Sequence, residues 1–195
     1  MFTGIISHLG KIASHTRQDQ GARIAIAVPD ALLAATEIGA SIAVNGCCLT
    51  LAEKNDGIAS FDLSPETLAR TAALAAEQMV HLEASLKAGD SIDGHLIFGH
   101  IDGTARLQNR QERGQALRLV LQAPDQCALL IAEKGSVAVA GVSLTVASCQ
   151  GSVFAVELVP HTIAQTVLAQ LKVGEEANFE ADMLARYAAR AIEKD

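Results

Sequence analysis

Short runs in which apolar and polar residues alternate recur along the chain, and glycine, proline or aspartate pairs separate them. Residues 22–28 alternate with a period of two, which is typical of a half-buried strand. Residues 51–55 and 58–63 flank the pair Asp56-Gly57, a combination that predicts a β-hairpin. Strands of this length and spacing favour small closed antiparallel barrels over a doubly wound sheet.

Two other stretches of the first half predict a further strand and a short helical turn. Residues 1–12 alternate weakly and contain Gly4 and Gly10, which predicts a first strand with points of close backbone approach. Pro29 and Asp30 end the next strand and introduce a short helical turn over residues 31–35.

One stretch of the chain occurs twice. Residues 41–50 read SIAVNGCCLT, and residues 136–145 read SVAVAGVSLT, at an offset of 95 positions. The same offset relates the hairpin over 51–63 to residues 146–158, and Pro65 and Thr67 to Pro160 and Thr162. A repeat maintained at a fixed offset indicates a duplicated structural unit. We therefore predict two similar barrels, one from each copy.

The end of the chain has no counterpart in the first half. Residues 182–194 place apolar side chains at helical spacing, which predicts an amphipathic helix. Its apolar side can pack on its own barrel or on copies of itself in an oligomer, and the sequence leaves both arrangements open.

Composition excludes several classes of protein. The 195 residues are 50% hydrophobic, enough for two cores, and the net charge of −7 argues against a nucleic-acid surface. No apolar run approaches the ~20 residues of a membrane span, and the amino terminus does not resemble a signal peptide, so we expect a cytoplasmic protein. The four cysteines lack CxxC spacing, and His95 and His100 fall on opposite faces of an extended segment, so no metal site is predicted.

The two copies differ at positions that matter chemically. Cys48 corresponds to Ser143, and Ile5 corresponds to His100. Such changes are expected if two similar pockets hold similar ligands in different chemical roles, with His100 as a proton carrier and Cys48 as a hydrogen-bond donor or nucleophile. The hydroxyl and glycine groups suit a neutral, planar, polyhydroxylated ligand. Taken singly, however, these residues are better explained as ordinary strand and bulge residues.

Four motifs together resemble the riboflavin synthase alpha-chain family over essentially the whole chain. They are Met1-Phe2-Thr3-Gly4-Ile5-Ile6, Asn45-Gly46-Cys47-Cys48-Leu49-Thr50, Gly94-His95-Leu96-Ile97-Phe98-Gly99-His100-Ile101-Asp102-Gly103 and Gly141-Val142-Ser143-Leu144-Thr145-Val146. The resemblance implies an all-β fold of two tandem six-stranded antiparallel barrels of the split Greek-key kind, followed by a C-terminal helix. The implied domains are residues 1–95, residues 96–182 and a trimerisation helix over residues 183–195.

The resemblance also implies a reaction and its partners. Two molecules of 6,7-dimethyl-8-ribityllumazine dismutate by transfer of a four-carbon unit, giving riboflavin and 5-amino-6-(D-ribitylamino)uracil in the final step of riboflavin biosynthesis. This is a transferase reaction without a metal or an organic cofactor. The family implies a homotrimer in which the first barrel of one subunit faces the second barrel of its neighbour, and it allows association with lumazine synthase. The alternative is a non-catalytic paralogue that binds lumazine or flavin.

Site residues carried over by position comprise catalytic candidates and the residues of two pockets. Catalytic candidates are His100, Cys48, Ser41 and Thr145, and Phe2 is expected at the pocket rim, where its ring would exclude water. The first pocket is expected to include Gly4, Ile5, Ile6, Ser41, Cys48, Leu49, Thr50, Asp62, Leu63, Ser64, Pro65, Glu66 and Thr67. The second pocket is expected to include Gly99, His100, Ile101, Lys134, Ser143, Leu144, Thr145, Glu157, Leu158, Val159, Pro160, His161 and Thr162.

The chain also departs from the family pattern. Ala140 stands where the family usually has Asp, and His81 stands where it usually has Asn. Asp93 replaces a usual Gly. The change at position 140 is expected to remove a carboxylate near one pocket, while His100, Ser143 and Cys48 remain.

Overall fold

Two closed antiparallel barrels make up most of the protein, which the computed structural model describes over residues 1–192. The strands of the first barrel are β1 (His8–Gln18), β2 (Gly21–Ala27), β3 (Ser41–Val44), β4 (Cys47–Asn55), β5 (Ile58–Leu63) and β6 (Met79–Ala84). Those of the second are β7 (Gly103–Arg113), β8 (Ala116–Gln122), β9 (Ser136–Val139), β10 (Val142–Gln150), β11 (Val153–Leu158) and β12 (Glu176–Ala181). The predicted duplicated barrels are confirmed.

Both barrels have the same strand order. In the first it is β1-β2-β5-β4-β3-β6, with β6 closing on β1, and the second repeats this order with β7 to β12. Strand β5 returns beside β2, so strands β2 to β5 form a Greek key. Alternate side chains fill each interior, among them Phe61 in the first barrel and Phe154 in the second.

Within residues 1–192, four short helices and two 3₁₀ turns connect or extend the strands. The helices are α1 (Asp30–Ala35), α2 (Pro65–Arg70), α3 (Pro160–Gln165) and α4 (Met183–Ile192). Ser64 caps α2 by accepting a hydrogen bond from the Thr67 N–H, and Asp182 accepts one from the Leu184 N–H at the start of α4. The predicted C-terminal helix is therefore confirmed as far as Ile192, and its expected last residues lie outside the described part of the chain. No helix within residues 1–192 is long and apolar enough to cross a membrane.

The predicted first strand was placed too early in the chain. Strand β1 begins at His8, and before it only Phe2 pairs, through hydrogen bonds between its backbone and that of Ile97. Phe2 and Ile97 occupy equivalent positions of the two copies, so the pairing lies on the approximate twofold axis of the molecule. Phe2 is completely buried there, against Ala43 and Ala138. Its expected position at a pocket rim is therefore wrong, because the ring packs between the barrels.

The barrels also meet at their equivalent β3–β4 and β9–β10 turns. A Cβ placed on Gly46 would lie 2.6 Å from the Gly141 nitrogen, and one on Gly141 would lie 2.6 Å from the Gly46 nitrogen. Both glycines have positive φ angles, +82° and +79°. Glycine is therefore required at both positions by conformation and by backbone contact.

Candidate functional site

A cleft of about 570 Å³ opens on the outside of the first barrel. Its lining residues are Cys47, Cys48, Glu66, Thr67, Arg70, Thr71, Gly99, His100, Ile101, Asp102, Met183, Arg186 and Tyr187. The cleft thus combines β4 and α2 of the first barrel with the segment before β7 and with α4. Both hydrogen-bonding and apolar groups face it, as a small-molecule site requires.

The segment before β7 belongs to the second copy in sequence but packs on the first barrel. The Gly99 carbonyl accepts a hydrogen bond from the Cys48 N–H at 3.0 Å, and Ile101 is buried in the core of the first barrel. A Cβ on Gly99 would lie 2.5 Å from the Cβ of Cys48, so only glycine permits this approach. The exposed His100 is thereby brought into the same cleft as Cys48.

The first residues of the chain pack on the second barrel in the equivalent way. The Gly4 carbonyl accepts a hydrogen bond from the Ser143 N–H at 2.9 Å, and Ile6 packs on the core of the second barrel. The sequence assigned Gly4, Ile5 and Ile6 to the first pocket, and Gly99, His100 and Ile101 to the second. That grouping is wrong, because each segment crosses to the barrel of the other copy.

Ser143 contacts a histidine that the sequence reasoning considered only as a metal ligand. His95 Nδ1 lies 2.7 Å from the Ser143 hydroxyl oxygen. Burial lowers the pKa of His95, and the nearby Asp182 only partly offsets this, so the imidazole is neutral at pH 7. A neutral imidazole beside a hydroxyl can accept its proton. Each barrel therefore presents a histidine near a nucleophilic side chain, His100 near Cys48 and His95 near Ser143.

The two adjacent cysteines differ in environment. Cys47 points into the first barrel, where burial raises the pKa of its thiol to about 12, with the neighbouring Cys48 as a smaller cause. It remains a protonated thiol at neutral pH. Cys48 is on the opposite face of β4 and half-buried at the cleft, so it is the cysteine available to a ligand.

Several other candidates lie on the outer faces of the same strands. Ser41 is paired with Thr50, on the face of the sheet that also carries Cys48, and Thr145 is paired with Ser136 in the second barrel. Asp62 forms an ion pair with Arg23, and Glu157 forms one with Arg118. The two acids are exposed, and each pair links neighbouring outer-face positions at the barrel surface.

A further group of candidates is directed away from any outer pocket. The side chains of Leu49, Leu63, Leu144 and Leu158 are buried in the barrel cores. Only the main chain at these positions is available to a ligand. Lys134 is exposed and adopts a positive φ of 66° in the turn before β9.

The first turns of two helices carry most of the other candidates. Glu66 and Thr67 of α2 line the cleft, and Ser64 and Pro65 precede them. The corresponding residues Val159, Pro160, His161 and Thr162 begin α3 on the second barrel. The two helical turns are at the predicted equivalent positions.

Sequence reasoning missed the contribution of α4 to the cleft. Met183, Arg186 and Tyr187 line it, and the Arg186 guanidinium donates a hydrogen bond to Asp102. The helical spacing indicated an apolar face, but nothing in the repeat pattern indicated which barrel this helix would cover.

Comparison with known proteins gives a consistent result. The lumazine binding domain family model matches the chain twice, at residues 3–85 and 98–182. The chain is 40% identical to riboflavin synthase of Brucella abortus over 97% of each chain, and 35% identical to riboflavin synthase of Escherichia coli over all of this chain and 92% of the relative.

The fold has close counterparts among solved structures. LumP complexed with riboflavin superposes with a TM-score of 0.85 at 24% identity, and LumP complexed with 6,7-dimethyl-8-(1'-D-ribityl) lumazine with a TM-score of 0.83. Each match covers 93% of this chain and 99% of the other. Because it contains two lumazine binding domains and is similar to riboflavin synthases over nearly its full length, the chain belongs to the riboflavin synthase family.

Proposed function

We propose that the protein is a riboflavin synthase, which converts two molecules of 6,7-dimethyl-8-ribityllumazine into riboflavin and 5-amino-6-(D-ribitylamino)uracil by transfer of a four-carbon unit. The two products together contain all the atoms of two substrate molecules, so the reaction needs no external oxidant or reductant. Membership of the family supports this assignment.

One structural observation carries the proposal. Equivalent positions of the two copies make the same backbone contacts but carry different side chains: Cys48 and His100 line the cleft of the first barrel, and Ser143 and Ile5 take their places on the second barrel. The shared backbone suits two copies of one compound. The different side chains suit the different fates of those copies, one losing and one gaining the transferred carbons.

The reaction requires proton transfer and contact between two substrates. Loss of a proton from the 7-methyl group of one lumazine needs a base, and His100 is our candidate, since imidazole transfers protons near neutral pH. Cys48, Ser41 and Thr145 supply a thiol and two hydroxyls for attack or hydrogen bonding. Holding the two substrates in contact can itself supply ~7 kcal/mol or more of the rate enhancement.

We also propose that the active unit is a homotrimer assembled through α4, with the first barrel of one chain facing the second barrel of another. Leu184, Tyr187 and Ile192 on this helix are 64%, 67% and 79% exposed, an apolar surface beside the cleft. Tyr187 also lines the cleft. A neighbouring chain on this helix would therefore approach the cleft as well.

The test is to incubate the purified protein with 6,7-dimethyl-8-ribityllumazine and follow riboflavin by absorbance and fluorescence. We expect multiple turnovers without added metal or cofactor. Saturable binding of the lumazine without riboflavin formation would instead support the alternative, a non-catalytic lumazine- or flavin-binding paralogue.

A further inference from the structure

A buried glutamate occupies the same position on the last strand of each barrel. Glu83 on β6 pairs with Ala43, and Glu180 on β12 pairs with Ala138, the equivalent residue of the second copy. Their exposures are only 7% and 3%. Within residues 1–192, neither carboxylate forms an ion pair with a lysine or arginine side chain.

Both carboxylates instead bind backbone N–H groups of the crossing segments. Glu180 accepts hydrogen bonds from the Phe98 and Gly99 N–H groups, each at 2.8 Å. Glu83 accepts them from the Thr3 N–H at 2.7 Å, the Thr3 hydroxyl at 2.8 Å and the Gly4 N–H at 3.0 Å. One carboxylate thus fixes two successive peptide groups in each segment.

The peptide groups held in this way precede the residues that enter the sites. Gly99 bonds to Cys48 through its carbonyl while its N–H is held by Glu180, so the backbone directly before His100 is fixed from both sides. In the other segment, Gly4 is fixed in the same manner between Ser143 and Glu83 and is followed by Ile5.

We propose that Glu180 and Glu83 are positioning residues for the two substrate sites, Glu180 fixing the His100 segment against Cys48 and Glu83 fixing the Ile5 segment against Ser143. This inference rests on the proposed function. Neither glutamate needs to touch the substrate, because each acts through the segment that it holds.

The charge of these residues is not explained by stability alone. Burial raises the pKa of the Glu180 carboxyl to about 7, with Asp102 as a further cause, while the backbone N–H groups lower it. Burial also raises the pKa of Glu83. Cys47 is another titratable group near Glu180. Burying an ionised carboxylate has a desolvation cost, which an apolar residue at the same position would avoid. A requirement to fix two peptide groups accounts for its presence.

The test compares Glu180→Gln and Glu83→Gln with wild type in the full chain at pH 8. A glutamine keeps the size of the side chain, but its amide NH₂ opposes one of the two N–H groups. We expect kcat of Glu180→Gln to fall about 10- to 100-fold with KM within about threefold, because displacement of a reacting group by ~1 Å has an effect of this size. We expect Glu83→Gln to raise KM about tenfold with a smaller effect on kcat, since Ile5 cannot transfer a proton.

Amide hydrogen exchange measures the positioning itself, independently of turnover. The Phe98 and Gly99 amides are expected to exchange faster in Glu180→Gln, and the Thr3 and Gly4 amides faster in Glu83→Gln, with the thermal midpoints close to that of wild type. The matched control is Glu176→Gln, which removes an exposed carboxylate from the same strand, where it pairs with Arg106. This control is expected to leave kinetics and exchange at all four amides unchanged.

Three results have different meanings. Unchanged exchange at the held amides, or losses of kcat that follow a fall in thermal midpoint, would overturn the positioning role. Equal effects of the two substitutions on kcat and KM would overturn the separate assignment of His100 and Ile5. Absence of turnover in wild type would contradict the proposed function, while the exchange data would still decide whether these glutamates hold the segments.

Discussion

His100 and Cys48 come from different copies of the repeat, and the crossing of residues 98–102 brings them to one cleft. His100 is exposed there and packs near the ring of Phe98, with 5.9 Å between ring centroids. An exposed imidazole at the edge of a substrate cleft has access both to the ligand and to water. This is the arrangement expected of a group that exchanges protons during turnover.

The first prediction concerns this residue. Replacing His100 by Ala should lower kcat about 10²-fold or more while leaving lumazine affinity within a few fold, because a proton carrier acts mainly in the chemical step. The measurements are steady-state kinetics and ligand binding followed by fluorescence. His15→Ala, at an exposed histidine that lies outside the cleft and bonds to the Leu74 carbonyl, is the control. Wild-type turnover in His100→Ala would remove this residue from the mechanism.

Two departures from the family pattern, His81 and Ala140, contact each other. His81 Nδ1 lies 2.8 Å from the Ala140 carbonyl oxygen, and its Nε2 accepts a hydrogen bond from the Val167 N–H at 2.8 Å. Asn178, at the equivalent position of the second copy, bonds to the Asn45 carbonyl and the Ala72 N–H in the same way. The His81 imidazole therefore makes the two hydrogen bonds that the Asn178 amide makes in the second copy. Ala140 itself is buried between the barrels rather than exposed to the cleft.

The second prediction follows from this replacement. Burial lowers the pKa of His81 from 6.5 to about 4, and its hydrogen bond to Ala140 only partly offsets this. Between pH 6.5 and pH 4, His81 binds a proton more readily in the unfolded chain than in the folded chain. The stabilisation due to neutral His81 is therefore fully present above pH 6.5 and is lost as the pH falls toward 4. The loss due to this residue is up to about 3 kcal/mol.

His81→Asn should make the free energy of unfolding less dependent on pH in this range, because an amide can make both hydrogen bonds and does not titrate. Urea unfolding at pH 7.5 and at pH 5 measures this difference. His15→Asn, at an exposed position, should leave the pH dependence unchanged. If His81→Asn retained the wild-type dependence, another group would be responsible for it.

At the scale of elements, the repeat predicted most of the strands. It did not predict that the segments before β1 and β7 cross to the barrel of the other copy. The offset of 95 residues maps each of the five strands from β1 to β5 onto the corresponding strand from β7 to β11, and it places both hairpins correctly. Two additional residues precede β12, so that His81 corresponds to Asn178 and Glu83 to Glu180, pairs that a fixed offset does not identify. Strand pairing, and not sequence spacing, establishes these correspondences.

The crossing of the two segments could not be inferred for a physical reason. Ile6 and Ile101 present the same apolar side chain to equivalent surfaces, so the hydrophobic pattern is satisfied whether each packs on its own barrel or on the other. The same ambiguity affected Phe2, whose burial against Ile97 depends on how the two copies meet. The sequence therefore predicted neither which barrel each crossing segment contacts nor how the two copies meet.

The third prediction tests the contact between the barrels. Gly46→Ala and Gly57→Ala introduce the same methyl group at similar φ angles, +82° and +78°, but only the first meets backbone atoms of the other barrel. Both substitutions should incur backbone strain of about 1 kcal/mol. Gly46→Ala should lose about 2 kcal/mol more, because packed backbone cannot move aside easily. Urea unfolding measures both, and equal losses would contradict the close contact at Gly46.

At the scale of the whole molecule, α4 is both a wall of the cleft and the helix that we propose assembles the trimer. Its inner side lines the cleft through Met183 and Arg186, while Leu184 on another side is 64% exposed. Deleting residues 183–195 would therefore remove a cleft wall together with any interface. A point substitution on the exposed side separates these two effects.

The fourth prediction uses Leu184→Glu for that purpose. If α4 assembles the trimer, a charge at this position should give monomers and lower turnover about 10²-fold, because a substrate held by one chain no longer meets the substrate held by another. Light scattering after gel filtration and steady-state kinetics measure the two effects. Ile38→Glu, at an apolar residue that is 59% exposed in a loop, is the control. A fully active Leu184→Glu monomer would refute a site shared between chains.

We propose that the first barrel of one chain and the second barrel of a neighbouring chain hold two copies of one compound and transfer carbons between them. The most direct measurement is the mass balance of a reaction started with 6,7-dimethyl-8-ribityllumazine alone, with all three compounds quantified by chromatography. The structure and the family predict that two lumazine molecules disappear for each riboflavin formed, with one 5-amino-6-(D-ribitylamino)uracil released. Bound lumazine that remains unchanged, or riboflavin formed in any other ratio, would contradict this account.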